Sequence, residues 1–221
     1  MNNNYLKFLK FILKKNSLLR VLQIYECLNI NLHGISLELG ATSNKDKTFS
    51  NVVIGKSKFH YSNKISNQKL KVFCSDLTKK LNISSKKYNN VLFFNILEHL
   101  PEYKLTFSEI YRIIKKRGFF IGSVPFIYQI HAAPNDYFRF SKQFFELNLK
   151  KYKFKQVKIK ALGFGPFTAS YSLLYPYLKY LPLLSQICLL LAYILDSLIQ
   201  LFVKTDLKEI FPLGYFFIAK K

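Results

Sequence analysis

Tryptophan is absent from this chain of 221 residues, and acidic residues are scarce: 12 Asp and Glu stand against 34 Lys and Arg, a formal net charge of +22. Such an imbalance attracts polyanions, whether an anionic membrane, a nucleic acid or a phosphorylated substrate. The abundance of Lys, Asn, Ile and Phe matches an AT-rich coding bias, which accounts for some of the basic charge but not for the shortage of acids. Cysteine is nearly missing as well. Cys27, Cys74 and Cys188 are odd in number and widely scattered, which excludes a disulfide framework or a paired-cysteine metal site and fits a reducing cytoplasm. The order of residues contains no Ser-His-Asp series, no metal-binding constellation and no P-loop lysine motif. A secretory signal is also lacking: lysines interrupt the apolar residues of the first twenty positions, and no small-residue cleavage site follows. No internal repeat or disordered linker stands out.

What the chain has is apolar bulk. Half of its residues are hydrophobic, with 22 Phe and 15 Tyr, enough to fill the core of one α/β domain carrying an insertion. Tyr5 to Leu28 has helical periodicity, with Leu6, Leu9, Ile12 and Leu13 on one face and lysines on the others, and Asn16-Ser17 is a point where the helix breaks or is capped again. A basic amphipathic helix of this kind fits a membrane surface or a lid packed on the domain. Strands are expected at Ile35 to Leu39, Asn51 to Ile54, Leu70 to Cys74, Val91 to Phe94, Phe119 to Val124, Phe154 to Ala161 and Leu213 to Ala219. Val91 to Phe94 is apolar throughout, as a strand buried on both faces must be. Phe154 to Ala161 alternates lysines with Val157 and Ile159, as an edge strand does. Helices are expected at Leu105 to Lys116, closed by Gly118, and from a Ser141 cap through Tyr152.

Leu181 to Val203 contains no Lys, Arg or Glu and is long enough to span a bilayer. Asp196 within it would be costly in lipid. Gln186, Tyr193, Asp196, Ser197 and Gln200 share one arc of a helical wheel, which points to a packed or surface-lying hydrophobic cap rather than a span.

The densest chemistry runs from Asn89 to Ser141: an apolar strand, Leu97-Glu98-His99-Leu100-Pro101, a helix closing in Lys115-Lys116-Arg117-Gly118, a second apolar strand, then Pro125-Phe126, His131, Pro134 and Asp136-Tyr137-Phe138-Arg139-Phe140-Ser141. In an open parallel sheet, ligands sit at the carboxyl ends of strands, where these polar groups fall. The order and spacing resemble the class I S-adenosylmethionine (SAM)-dependent methyltransferases, in particular the methyltransferase type 11 family. The resemblance covers roughly Ile35 to Lys160 and the closing Phe211 to Lys221. It implies a Rossmann-like α/β sheet, mostly parallel with an antiparallel last strand. Residues 1–30 would then form a basic helical segment, residues 31–162 and 212–221 the methyltransferase-like domain, and residues 163–211 a hydrophobic helical insertion.

The resemblance assigns SAM to Glu38, Gly40 and Ala41 after the first strand, to Asp76 after the third, and to Asn95 and Leu97 after the fourth. A glycine turn lets the backbone approach the cofactor. The family places further glycines where this chain has Thr42 and Asn44, and a ribose-binding acid where it reads Lys56, a donor without acceptor capacity. Taken singly, Gly40 also suits an ordinary strand-to-helix turn and Asp76 a helix N-cap. On the acceptor side, His131 and His99 are candidate general bases, with Asp136 orienting one of them, and Tyr137 and Arg139 are candidate binders of a polar or phosphorylated acceptor. Each has a plainer role: a backbone contact for His99, a solvated loop for His131, a local ion pair for Asp136 and Arg139.

Three expectations follow. The first is a methyltransferase for a small-molecule, sugar or lipid-linked acceptor, cytoplasmic and peripheral at the inner membrane face, with an anionic membrane surface as a partner. The second is a non-catalytic, membrane-associated interaction module that has lost SAM. Nucleic acid is disfavoured as a partner, because the basic residues are dispersed and no RNA-binding signature is present.

Overall fold

A computed structural model describes residues 16–40, 57–62, 72–73, 76–132 and 135–221. Its frame is a seven-stranded sheet in the order β3-β2-β1-β4-β5-β7-β6. The strands are β1 (Gly34–Leu39), β2 (Ser57–Ser62), β3 (Val72–Phe73), β4 (Tyr88–Phe94), β5 (Ile114–Pro125), β6 (Lys155–Leu162) and β7 (Gly214–Lys220). β1 to β5 pair in parallel, and β7 runs antiparallel to both β5 and β6. This is the mostly parallel, Rossmann-like sheet with an antiparallel last strand that the family resemblance implies.

The central strands explain the layering. β4 alternates Val91 and Phe93 towards one core with Leu92 and Phe94 towards the other. One core lies under α2 (Tyr103–Ile113) and α3 (Lys142–Lys151), where Phe107, Phe120, Phe145 and Phe217 interlock. The opposite core lies under α1 (Leu18–Leu28), α4 (Pro166–Leu178) and α5 (Pro182–Gln200). A short α6 (Leu207–Ile210) leads into β7. Ser17 caps α1 by accepting from the Arg20 amide (3.3 Å), and Ser141 caps α3 by accepting from the Phe144 amide (3.4 Å), as their side-chain oxygens suit them to do.

Two boundaries depart from the expectation. The helix expected through Lys116 ends at Ile113, because Ile114 turns extended and is drawn fully into the core as the first residue of β5. Gly118 therefore lies inside a strand rather than capping a helix. A Cβ there would stand 2.4 Å from the Asn89 carbonyl oxygen, so close strand packing is what requires glycine. The expected strand at Asn51 to Ile54 lies outside the described residues. The strand beside β1 is Ser57–Ser62, so its carboxyl end comes at Ser62. Lys56 precedes that strand in sequence and cannot be the residue that follows its carboxyl end. Residues 1–15, which include the first eleven of the helix expected from Tyr5 to Leu28, and Cys74 also lie outside the described residues.

The insertion is a helical hairpin, α4 against α5. Asp196, the residue that argues against a bilayer span, is buried and accepts from the Phe167 amide (2.9 Å), the Thr168 amide (2.9 Å) and the Thr168 hydroxyl (2.7 Å). It caps the first turn of α4 from a neighbouring helix, satisfying donors that have no intrahelical partner. We expect Asp196→Ala to cost about 2–4 kcal/mol, through buried amides left unpaired. Urea unfolding measures that loss, and hydrogen exchange should localise it to the first turn of α4.

Candidate active site

The carboxyl ends of β4 and β5 open onto a cleft of about 390 Å³, lined there by Asn95 and Pro125 and on the α1 side by Arg20 and Gln23. At the end of the neighbouring strand β1, Gly40 has a φ of +68°, which takes the chain sharply out of the sheet. A Cβ there would stand 2.4 Å from Ile96, so the left-handed turn and the close approach both call for glycine. Glu38, two residues earlier, is buried within β1. At the end of β4, Asn95 also takes a positive φ, of +52°, which asparagine tolerates better than most residues.

Gln23 of α1 holds Asn95 from across the cleft. The two amides bond reciprocally, at 2.7 and 3.0 Å, and Gln23 Nε2 also donates to the Ser123 hydroxyl of β5 (2.9 Å). Arg20, one turn earlier on α1, lines the same cleft with Tyr128 and His131. Burial pulls its pKa down to about 10, partly countered by the charge of Glu38. Neither Arg20 nor Gln23 was flagged by motif reasoning. The signal lay in their spacing: i and i+3 on one helix face, with Arg20 the first arginine of a lysine-rich chain.

On the other wall, the Leu97–His99 turn faces the loop after β5. The Tyr137 amide donates to the Glu98 carbonyl (2.8 Å), tying the two together. Asp136 organises that loop. Its carboxylate takes both Nη atoms of Arg139, accepts from the His131 amide (3.0 Å) and lies 3.2 Å from His131 Nδ1. The Arg139 hydrogen bonds hold the Asp136 carboxyl well below the usual carboxylate range. Arg139 also donates to the Gln129 carbonyl (3.1 Å). Its fork thus braces the loop, the ion-pair role open to it from the sequence.

Glu98 is the least ordinary group here. Its side chain is 0% exposed, and among the described residues neither carboxylate oxygen has a hydrogen-bond partner. Burial pushes its pKa up to about 8. His99 Nε2 and His131 Nε2 each stand 3.8 Å from Glu98 Oε1, and the two rings meet edge to face at 4.9 Å. Burial lowers the pKa of His131, so that ring is neutral at physiological pH.

The remaining candidates separate. Asn95 and His131 line the cleft, whereas Leu97 is packed into the core. Tyr137 is half-exposed and accepts from the Asn135 amide nitrogen (2.9 Å). Asp76 bonds the Thr78 amide (3.0 Å) and hydroxyl (2.6 Å), the turn-capping role open to it from the sequence. Ala41, Thr42, Asn44 and Pro134 lie outside the described residues.

Residues 44–122 match the family described as Methyltransferase domain, and no curated protein matches the chain. Among solved structures, a SAM-dependent methyltransferase from Archaeoglobus fulgidus aligns at 16% identity and a TM-score of 0.54, over 85% of this chain and 86% of that one. Phosphoethanolamine N-methyltransferase 2 of Haemonchus contortus, in complex with SAM, aligns at 16% identity and a TM-score of 0.59, over 90% of this chain and 52% of that one, so the chain spans about half its length. The [4+2]-cyclase SpnF aligns at 11% identity and a TM-score of 0.54, over 90% of this chain and 78% of that one. At these identities the likeness establishes the fold, and function has to be argued from the site.

Asp136→Asn should leave the Arg139 cation uncompensated and cost about 2–3 kcal/mol. Because the folded carboxyl titrates below its ordinary 3.8, the stabilisation is fully present above that pH and is lost as the pH falls below it. The difference in melting temperature between the two proteins should be constant above about pH 5 and narrow progressively as the pH is lowered towards about 2.5.

Proposed function

We propose that this chain, which has the class I SAM-dependent methyltransferase fold and the cofactor expected of it, transfers a methyl group from SAM to a hydroxyl of a small-molecule, sugar or lipid-linked acceptor. The observation that carries this reading is one cleft with two differently equipped walls. One has Asn95 and Arg20, beside the glycine turn that ends β1; the other has a neutral, oriented imidazole.

The described residues fit SAM. Gly40 gives a close backbone turn at the strand end, where the fold binds its ligand. Arg20 offers a fixed cation to the methionine carboxylate, Asn95 an amide to its polar end, and Asp76 an acceptor for the adenine amine. When bound, SAM supplies an electrophilic methyl group on a sulfonium. The protein's task is alignment, exclusion of water and removal of a proton. His131 suits that last step: its Nδ1–H points at Asp136, which leaves Nε2 free to accept the acceptor's proton, and the Asp136 carboxylate steadies the imidazolium that results.

The lipid-linked acceptor and the membrane-peripheral location rest on the α4–α5 hairpin. α5 passes the length and hydropathy criteria for a membrane span, yet only 17% of its apolar window is buried. Leu183, Leu190, Leu198 and Leu201 stand exposed along it, and an apolar face beside a +22 chain suits an anionic membrane surface. A second reading, the non-catalytic membrane-associated module, rests on Thr42 and Asn44 standing where the family has glycines. That the fold also serves a [4+2]-cyclase shows that it does not by itself dictate methyl transfer.

Calorimetric titration with SAM should show saturable one-to-one binding, weakened at least tenfold, or about 1.4 kcal/mol, by Asp76→Ala and by Arg20→Ala. A folded wild-type protein that binds no SAM would decide for the non-catalytic module. In a turnover assay His131→Gln should lower kcat by about 10²–10⁴. In the wild type the acid limb should have its midpoint below pH 6.5, because burial lowers His131 and the base must be unprotonated. Flotation with anionic vesicles should retain the wild type and release a Leu183→Glu, Leu190→Glu double variant. Equal flotation of the two would remove the membrane reading while leaving the enzyme reading intact.

A further inference from the structure

Glu98, His99 and His131 form a group whose geometry goes beyond acid-base work. Their three donor atoms lie within 4.8 Å of one another. Each imidazole is turned to offer the same nitrogen. His99 Nδ1 lies 2.5 Å from the Asn135 carbonyl oxygen, which can only accept, so Nδ1 carries the proton and Nε2 a lone pair. His131 Nδ1 faces the Asp136 carboxylate at 3.2 Å and the Gln129 carbonyl at 3.4 Å, again acceptors, with the same result. Both Nε2 atoms face Glu98 Oε1 at 3.8 Å, beyond hydrogen-bonding distance. Three potential ligand atoms thus converge without hydrogen-bonding one another, and the Glu98 oxygens, fully buried, have no hydrogen-bond partner among the described residues. Buried polar atoms in folded proteins are otherwise almost always satisfied.

We propose that Glu98, His99 and His131 bind a divalent transition-metal ion, with an open coordination position facing the cleft that His131 lines. Two imidazoles and one carboxylate are a donor set suited to Zn²⁺ and neighbouring first-row dications, with an open position for water or substrate. Around a tetrahedral ion with bonds of about 2.1 Å, donors stand roughly 3.5 Å apart, so the two 3.8 Å separations need only slight contraction. The outer contacts are those of a metal site: one histidine braced by a backbone carbonyl, the other by a carboxylate that Arg139 holds in turn. For the chemical use of the ion, the inference rests on the methyl-transfer reading. The dication places positive charge against an acceptor oxygen as its O–H bond breaks, the proton going to water and the electron pair staying on oxygen to displace the thioether from the methyl carbon. His131 then serves as a ligand, and the ion does the work otherwise given to a base.

The full-length protein, stripped with chelator, should be titrated with Co²⁺ and with Zn²⁺. One equivalent of Co²⁺ should bind, giving the visible absorption of a low-coordinate site, and Zn²⁺ should displace it. Glu98→Gln and His99→Gln should each lose at least tenfold in affinity, and Asp136→Asn, which replaces no ligand but removes the carboxylate that braces His131, about 10–100-fold. His33→Ala, at an exposed position outside the group, should bind as the wild type does. Circular dichroism confirms that each variant is folded. No saturable binding to folded wild type would overturn the proposal, as would unchanged affinity in the two ligand variants. SAM titration of the same samples separates the two readings: SAM binding without metal binding defeats only the metal site, and metal binding without SAM binding defeats only methyl transfer.

Discussion

The Asp136 carboxylate is the point on which the acceptor wall depends. It neutralises Arg139, receives the His131 amide and meets the His131 ring. One side chain therefore fixes both the backbone and the imidazole of the residue nearest the cleft. Arg139 extends the hold to the Gln129 carbonyl, and the Tyr137 amide carries it across to Glu98. A loop held only by its own backbone would sample many conformers. This one is cross-tied at three places within a dozen residues, and that is how a connection after a strand can present a side chain with the accuracy of a rigid element.

Much of the frame was legible because its signals are periodic. The all-apolar Val91 to Phe94 had to be a doubly buried strand, and Ser141 had to cap a helix. The alternating Lys158 and Ile159 had to lie towards an edge, and in the structure their strand pairs on one side only. The errors came where tertiary packing overrode local pattern. Lys115 and Lys116 look like a helix terminus, but a buried Ile114 pulls the chain into β5 before they are reached. The site was legible in part for the same reason. Glu98, His99, His131, Asp136 and Arg139 stand close in sequence and at strand ends, so topology alone gathers them. Gln23 and Arg20 come from a helix some seventy residues away, and only the packing of α1 over the sheet shows that they belong. The meeting of His131 with Glu98 is likewise invisible to spacing, since 33 positions and a helix with its following strand separate them.

The two faces of the molecule follow different rules. The side under α2 and α3 is a closed aromatic core, with Tyr103, Phe140, Phe144 and Phe145 in mutual contact. The side under α4 and α5 is left open, with leucines outward along α5 while a single buried carboxylate, Asp196, pins the hairpin from within. Helix order there is maintained by polar capping rather than by the burial of both helix faces, which leaves the outer face free to be apolar.

One feature of the topology bears on how the molecule is made. β7 sits between β5 and β6, yet it follows both in the chain, on the far side of the hydrophobic hairpin. During synthesis, β5 and β6 emerge with their facing edges unpaired, and the greasy helices emerge before the strand that joins those edges. Until β7 is inserted, the nascent chain displays open strand edges together with exposed leucines, the combination most prone to misassociation. A chaperone, or early contact of the hairpin with a lipid surface, would shorten the life of that state, so the feature that completes the sheet also makes its assembly dependent on what surrounds it.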